Sequence, residues 1–570
     1  MANKILINNY LYCVTHAWYI RLLGFVGLSS SILCLYGFTK FLIISPWYLA
    51  AFGPFATAFA FNRILRYSLQ LGYPKFDIPK HKAFIQAFWK HHAEPSVDVL
   101  LPYAGEDETV FEETLKGVSE LEYTNTKAYI LDDKGSDFVK ALADKYGFTY
   151  LSRSNKGEYR KAGNLRYGYA NSQGEFVLVL DADFIPASNA LHQVIPYIVD
   201  DEKMGILQTP QYFEQTHTLH KTSHIQFGGG NVVEEFYKID QPCRDRVKGG
   251  MCVGTSAIYR RKAVEDAGGT PKVWGTEDVR QGLLITQVGY YVKYLPIIIS
   301  IGDSPETVQG YFRQHNRWCT GSLATIFGEY YFKAKLTPLA RLTYLTNAFY
   351  YITEAASVIM PFQLLALMWF QYKDLNIVNS LWFLPYFLFI YIISPLSKTH
   401  KPKFGTYMAS LSNNFTYLYT IFNIPIGRIL PWEPAGVKTN KIHKSFHTNI
   451  NLGLIIVSTY IVLFIVVLIN RWYLLFDYNA YVVLAWCLYS LIWSELFLFI
   501  SLRFIKNIRF DEMINENEDR ILIKKGLLHI KYYLLPILTC LLIAIILFDV
   551  YIHTGLKTAI DITIPKTFAK

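Results

Sequence analysis

Apolar residues are distributed in two ways along this chain. Before residue 72 and again after residue 335 they form long continuous runs; between those points they come in short runs separated by polar and acidic stretches. Runs over 19–43 and 46–64 are long enough to cross a bilayer core of ~30 Å. Further runs over 343–370, 381–395, 451–469, 481–504 and 532–551 bring the expected spans to seven. The segment 407–430 is only moderately apolar, holds Asn413, Asn414, Asn423 and Pro425, and reads as a helix lying at the membrane surface. In the middle, apolar runs at 97–101, 128–131, 176–180 and 291–295 alternate with amphipathic stretches, which predicts a mostly parallel sheet covered by helices. The expected organisation is an N-terminal segment with two spans over 1–71, an α/β domain over 72–335, and a C-terminal membrane region over 336–570.

Composition agrees with a mixed protein. Of 570 residues 52% are hydrophobic, too many for an ordinary soluble chain, while the 18% that are charged exclude a chain that is membrane throughout. The net charge of +10 is explained by loops rather than by a nucleic-acid surface. Lys398, Lys401 and Lys403 share one loop, Lys438, Lys441 and Lys444 a second, and Arg503, Lys506, Arg509, Arg520, Lys524 and Lys525 a third. The loops around 371–379 and 471–479 are nearly free of positive charge. Positive loops belong on the cytoplasmic side, so the soluble domain is expected in the cytoplasm and the tail 555–570 outside. The seven cysteines are scattered, with no CxxC, which predicts neither a zinc site nor a disulfide framework. The first residues lack the layout of a signal peptide, and the first span is read as retained.

Four polar motifs carry the chemistry. Asp132-Asp133 closes the run ending at Leu131, where a carboxylate can accept hydrogen bonds from a base or ribose; the bland reading is a solvated turn. Asp181-Ala182-Asp183 follows the apolar run 176–180, and two carboxylates on one side of the backbone suit Mg²⁺ or Mn²⁺ with phosphate completing the shell. Thr276-Glu277-Asp278 precedes an amphipathic helical pattern. It is either a capped helix start with two first-turn acids or the source of a general base. Gln314, Arg317 and Trp318 lie on one short segment; an Arg can stabilise a leaving diphosphate and an indole can face a pyranose, or both can anchor an interfacial helix. Lys161, after the basic and polar run 153–160, can neutralise a diphosphate or simply begin a charged helix.

The ordered set, an Asp pair, DxD, TED and QxxRW between membrane runs, resembles a processive, membrane-integrated family 2 glycosyltransferase of the cellulose synthase-like kind. Lys161-Ala-Gly-Asn-Leu165, Gln208-Thr-Pro-Gln-Tyr-Phe213 and Gly268-Gly269 agree with it, and the resemblance covers about residues 40–500. It implies an α/β GT-A (nucleotide-diphospho-sugar transferase) cytosolic domain inserted between α-helical transmembrane segments. It implies Asp132 and Asp133 on the uridine, Lys161 and Asp181 on the diphosphate, and Asp183 with Asp181 on Mg²⁺ or Mn²⁺. Asp278 would be the base, Thr276, Glu277, Gln314, Arg317 and Trp318 would line the acceptor end, and residues 431–440 would close over the nucleotide. The implied partners are a UDP-sugar, a growing polysaccharide, the bilayer of the cell (plasma or inner) membrane and accessory secretion or regulatory subunits, with no nucleic acid.

The chain departs from the family pattern at Pro102-Tyr-Ala-Gly-Glu106 and at Cys252-Val-Gly-Thr255, where Phe-Cys-Gly-Ser is usual. Thr-Glu-Asp rather than Gly-Asp-Asp favours a glucan over hyaluronan, and a C-terminal cyclic-dinucleotide-binding barrel is not expected. The leading expectation is an inverting transferase that polymerises a sugar, glucose first, into a β-linked chain and passes it through its own membrane helices. Non-processive transfer to a lipid or glycan acceptor is the alternative. A channel with a degenerate soluble domain would have no use for the intact acidic set.

Overall fold

The computed structural model describes residues 12–44, 53–213, 224–305, 307–370, 379, 381–394, 404–427 and 444–470. The chain divides into two compact units. One comprises Met1–Ser31, Phe61–Ile352 and Phe389–Thr439; the other comprises Ile32–Ala60, Thr353–Leu388 and Asn440–Lys570.

Ten strands lie in the first unit: β1 (Val97–Tyr103), β2 (Thr126–Asp132), β3 (Thr149–Leu151), β4 (Phe176–Val179), β5 (Phe184–Pro186), β6 (Met204–Gln208), β7 (Tyr212–Phe213), β8 (Ala257–Arg260), β9 (Tyr291–Tyr294) and β10 (Ser300–Gly302). Seven of them form one sheet in the order β3-β2-β1-β4-β8-β6-β9, and β5, β10 and β7 form a small second sheet. Because side chains alternate across a strand, β1 sends Val97, Val99, Leu101 and Tyr103 into one apolar layer and Leu100 into the other. The same alternation splits Phe176 and Leu178 from Val177 and Val179 in β4. Strands buried on both faces read as continuous apolar runs, which is how they were legible. Asp98 interrupts the run and is compensated by the Arg261 guanidinium at 2.9 Å and the Gln173 amide at 2.8 Å.

The sheet departs from the mostly parallel expectation at one strand. β8 runs antiparallel to both β4 and β6. This reversal has a local consequence: with Val179 opposite Ala257, the residues entering β8 lie beside the residues leaving β4. Gly254 and Thr255 are thereby carried to the end of the strand that leads into Asp181.

Among the described residues, two helices are long and apolar enough to cross a membrane, Ala17–Ile43 and Lys444–Val467, and Pro338–Ser357 with Met360–Phe370 forms a bent pair that passes the same test jointly. By length and composition this is an integral membrane protein. In place of the second expected span the described helix is Gly53–Gln70, which is not among these candidates. It carries Arg63 and Arg66, and Arg66 bonds Glu235 at 2.8 Å and Asp240 at 2.9 Å. The described part of 381–395 is the short helix Leu384–Leu388 running into a π-helical turn, Phe389–Ile393. The segment 407–430 corresponds to a helix, Phe404–Asn423, packed against the helices His224–Glu235 and Val308–Ile326. The expected spans at 481–504 and 532–551, the external tail and the closing segment 431–440 lie outside the described residues.

Candidate active site

β1 and β4 are neighbours, and from β1 the chain order runs to β2 and β3 on the other side. In open α/β sheets ligands bind at the carboxyl ends of the strands where the order reverses in this way. All four motifs belong to this end or to elements packed on it.

Asp132 is the last residue of β2 and is fully buried. Its Oδ1 accepts from the Lys134 and Gly135 amides at 2.7 and 2.8 Å, and its Oδ2 from the Ser136 amide at 2.7 Å and the Tyr150 hydroxyl at 2.8 Å. Asp133 accepts both arms of Arg153, at 2.6 and 2.7 Å, and the Gly157 amide at 3.1 Å. Neither is the solvated turn acid of the bland reading. The pair shapes the loop 133–160, with Arg153 also donating to the Glu158 carbonyl at 2.6 Å.

The loop delivers the helix Arg160–Ala170, whose second residue is Lys161. The Lys161 ammonium donates to Asp181 Oδ1 and, at 2.9 Å, to the Gly254 carbonyl. Burial works against its charge, but Asp181, then Glu277 and Asp278, outweigh that and hold its pKa above the ordinary lysine range. The Asp181 amide donates to Thr255 Oγ1 at 2.9 Å, which is the contact the antiparallel β8 makes available. Asp183 stands in a more negative place. Burial, then the Asp181 and Asp303 carboxylates, with a smaller push from Glu106, drive its pKa well above the usual carboxylate range.

That repulsion is the observation that bears on a divalent cation. Carboxylates close enough to oppose one another's ionisation are relieved by a cation between them. One Asp181 oxygen is already held by Lys161, so Asp183 is the better donor. Among the described residues no group of three or more His, Cys, Asp or Glu is set to hold a metal alone. The donor set fits a hard cation whose remaining ligands are phosphate and water.

Thr276 begins the helix Glu277–Gln287, but not as a capping residue. Its φ is +52° and its hydroxyl donates to the Gly275 carbonyl at 2.7 Å rather than accepting from the helix. The capped-start reading thus fails, and the strained backbone instead aims the two acids. Asp278 Oδ1 accepts the Val279 amide at 2.8 Å. Burial, then Glu277, push Asp278 up to about 7, against the Val279 amide, Lys161 and Arg317.

Two glycines let these elements meet. Gly254, with φ +83°, faces Asp278. Gly321, on the helix Val308–Ile326, faces the Thr276 side chain so closely that an added Cβ would overlap it. The same helix carries Gln314, which is buried, and Arg317 and Trp318, which are half-exposed. Its other face is hydrogen-bonded to Phe404–Asn423: His315 Nδ1 to the Tyr417 hydroxyl at 2.7 Å, Asn316 to Thr420 at 2.6 Å, and Asn413 to the Tyr311 hydroxyl at 2.9 Å. Trp318 meets the His315 ring at 4.8 Å.

Of the residues expected at the site, Lys161, Asp181, Asp183, Glu277, Asp278 and Arg317 share one electrostatic neighbourhood. Sequence reasoning missed Arg153, Gly254 and Gly321. Gly254 lies in the departing Cys252-Val-Gly-Thr255 string, so a signal existed there; Gly321, an ordinary-looking helix glycine, carried none.

Residues 98–268 match the family model Glycosyl transferase family 2. Over these residues the chain is similar to family 2 glycosyltransferases. The match takes in the Asp pair, Lys161 and the DxD and ends before Thr276. Curated relatives include the cellulose synthase catalytic subunit [UDP-forming] of Xanthomonas axonopodis pv. citri, 28% identical over 229 residues, 40% of this chain and 31% of the relative. That of Pseudomonas fluorescens is 28% identical over 235 residues, 41% of this chain and 32% of the relative. Cellulose synthase 1 catalytic subunit of Komagataeibacter xylinus is 28% identical over 259 residues, 45% of this chain and 35% of the relative. The aligned part thus spans about a third of these relatives. Among solved structures, a mannosyltransferase from Pyrobaculum calidifontis in complex with GDP-Man and Mn²⁺ is 15% identical with a TM-score of 0.38, covering 60% of this chain and all of that one. The glycosyltransferase domain is α/β of the GT-A type, its mixed sheet lying in sequence between the two apolar helices.

Proposed function

We propose that this protein is a membrane-embedded, inverting transferase that polymerises a hexose, glucose first, from a UDP-sugar into a β-linked polysaccharide, and passes the product through its own membrane helices. The observation that carries the reading is the convergence on one strand end of Lys161, the DxD pair and the half-buried Asp278 carboxylate, pushed up to about 7 by desolvation and then by Glu277.

In this reading Lys161 and Arg317 hold the donor diphosphate, and Arg317 meets the charge that develops on it as it leaves. Asp183, with Asp181, would hold Mg²⁺ or Mn²⁺, which when bound neutralises the diphosphate. Asp278 takes the proton of the acceptor hydroxyl as its oxygen attacks the anomeric carbon from the face opposite the diphosphate; the C–O bond to phosphate breaks, and UDP departs with the electron pair. A base with pKa near neutrality is deprotonated in useful amount and still strong enough to accept the proton. Asp132, Asp133 and Arg153 shape the loop against which the nucleotide lies. Gln314 and Trp318 steady the acceptor, with Thr276 and Glu277 positioning the base. The domain is cytoplasmic, with Phe404–Asn423 at the membrane surface.

The test is to incubate the purified protein with UDP-glucose and Mg²⁺ or Mn²⁺, measure UDP release, and digest the product with linkage-specific glucanases. A long product cut by a β-glucanase supports the reading. A single added sugar sinks processivity, and the absence of UDP release sinks the activity.

A further inference from the structure

One exposed aromatic side chain at the site has no role in the scheme above. Trp274 is 60% exposed and stands four residues before Asp278. The Tyr159 ring lies 5.4 Å from it at 47°, and the Arg160 guanidinium lies 5.9 Å from its centroid. The two partners lead directly into Lys161, whose ammonium is on Asp181. The Trp274–Tyr159 contact therefore joins the phosphate side of the site to the base side.

The backbone here is held in conformations that side chains resist. Tyr159 at φ +51°, Arg160 at +48° and Thr276 at +52° are three of the five non-glycine residues in the left-handed region among the described residues. Such strain persists only where surrounding structure enforces it, and it gathers at functional sites. Here it presents an indole to solvent and leaves a phenol half-buried beneath it. Burial, and then Arg317, hold the Arg160 guanidinium below the ordinary arginine range, so Arg160 stands within electrostatic reach of Arg317.

A large exposed indole beside a reacting centre is costly in water and useful only when covered. The apolar C–H face of a pyranose covers an indole well, and the tilted phenol extends the surface. The geometry points to Trp274 and Tyr159 as a hexopyranose-stacking subsite at the mouth of the site, a second platform besides Trp318. The subsite rests on the glycosyltransferase reading above. The ring it takes belongs either to the donor sugar or to the acceptor chain.

The test uses the full chain in lipid nanodiscs, as wild type, Trp274→Ala and Trp274→Phe, titrated calorimetrically with UDP, UDP-glucose and cellotetraose. UDP affinity is expected to be unchanged. Trp274→Ala should weaken one sugar ligand by roughly tenfold, and Trp274→Phe should restore most of it. Loss confined to UDP-glucose assigns the ring to the donor, and loss confined to cellotetraose assigns it to the acceptor. Equal affinity of wild type and Trp274→Ala for all three ligands overturns the subsite, as does equal weakening of all three, which is what a merely structural tryptophan would give. UDP release by the wild type is measured in parallel. Turnover with no effect of Trp274→Ala on binding removes the subsite and leaves the activity. Sugar binding through Trp274 with no turnover removes the activity and leaves the subsite.

Discussion

Gly254 and Asp278 touch across the site: a Cβ added to Gly254 would lie 2.9 Å from both the Cβ and an Oδ of Asp278. The same glycine sits at φ +83° and gives its carbonyl to Lys161. Gly254→Ala should therefore displace the base without removing any ionisable group. Misplacing a catalytic group by about 1 Å can cost ~10²-fold. The expected outcome is a fall in kcat of that order with UDP affinity retained; an unchanged kcat would remove the contact from the mechanism.

Asp278→Asn should keep nucleotide binding and lose transfer by roughly 10²-fold or more. The same change should not destabilise the fold. The carboxyl is pushed up to about 7 by burial, so in the unfolded chain it ionises at lower pH than in the folded one. Between those values the unfolded state binds fewer protons, and wild-type stability falls as pH rises toward 7. At pH 8 the Asn variant should thus melt no lower than wild type, and a marked drop in melting temperature would contradict the burial argument.

The wild-type rate should depend on the same ionisation. Below about 7 Asp278 carries the proton it is meant to accept, so transfer should fall as pH drops through that value. A pH profile flat from 6 to 8 would point to another base.

Activity should require Mg²⁺ or Mn²⁺ and vanish with excess chelator, because Asp183 and Asp181 offer hard oxygen donors and the rest of the shell comes from phosphate. Full UDP release in excess EDTA would take the cation out of the reaction.

Arg153→Met should be among the most damaging changes in the domain. It leaves Asp133 buried without its bidentate partner, a loss of ~3–5 kcal/mol in comparable pairs. The melting temperature should drop sharply, and a double change that also neutralises Asp133 should recover part of it.

Trp318→Ala should shorten the product more than it weakens UDP binding, since indole stacking holds a chain without selecting one hydroxyl. Chain length per folded enzyme is the measurement, and an unchanged length distribution would leave Trp318 as an anchor only.

The strands were legible because β4 and the last four residues of β2 are buried throughout and β1 is apolar but for Asp98, so they read as apolar runs. The reversal of β8 was not, since Ala257–Arg260 is apolar in the same way whichever direction it runs. Asp181, Asp183 and Asp278 were picked out by residue type and position, and the structure brings them into one electrostatic neighbourhood. The hydrogen-bond partners of Asp132 and Asp133 were hidden because they are backbone amides, a tyrosine hydroxyl and an arginine about 20 residues away. The helix Gly53–Gln70 takes in residues 53–64 of the expected run 46–64, and its Arg66 is bonded to Glu235 and Asp240.

The hydrogen bonds that join Tyr311, His315 and Asn316 with Asn413, Tyr417 and Thr420 all belong to one register between their two helices. An apolar ridge can slip by small amounts and repack. A row of matched donors and acceptors cannot, because a partial slide breaks every pair together. The helix that carries Arg317 and Trp318 is accordingly geared to Phe404–Asn423: the two travel as one piece, and a push on either is felt at Arg317 and Trp318.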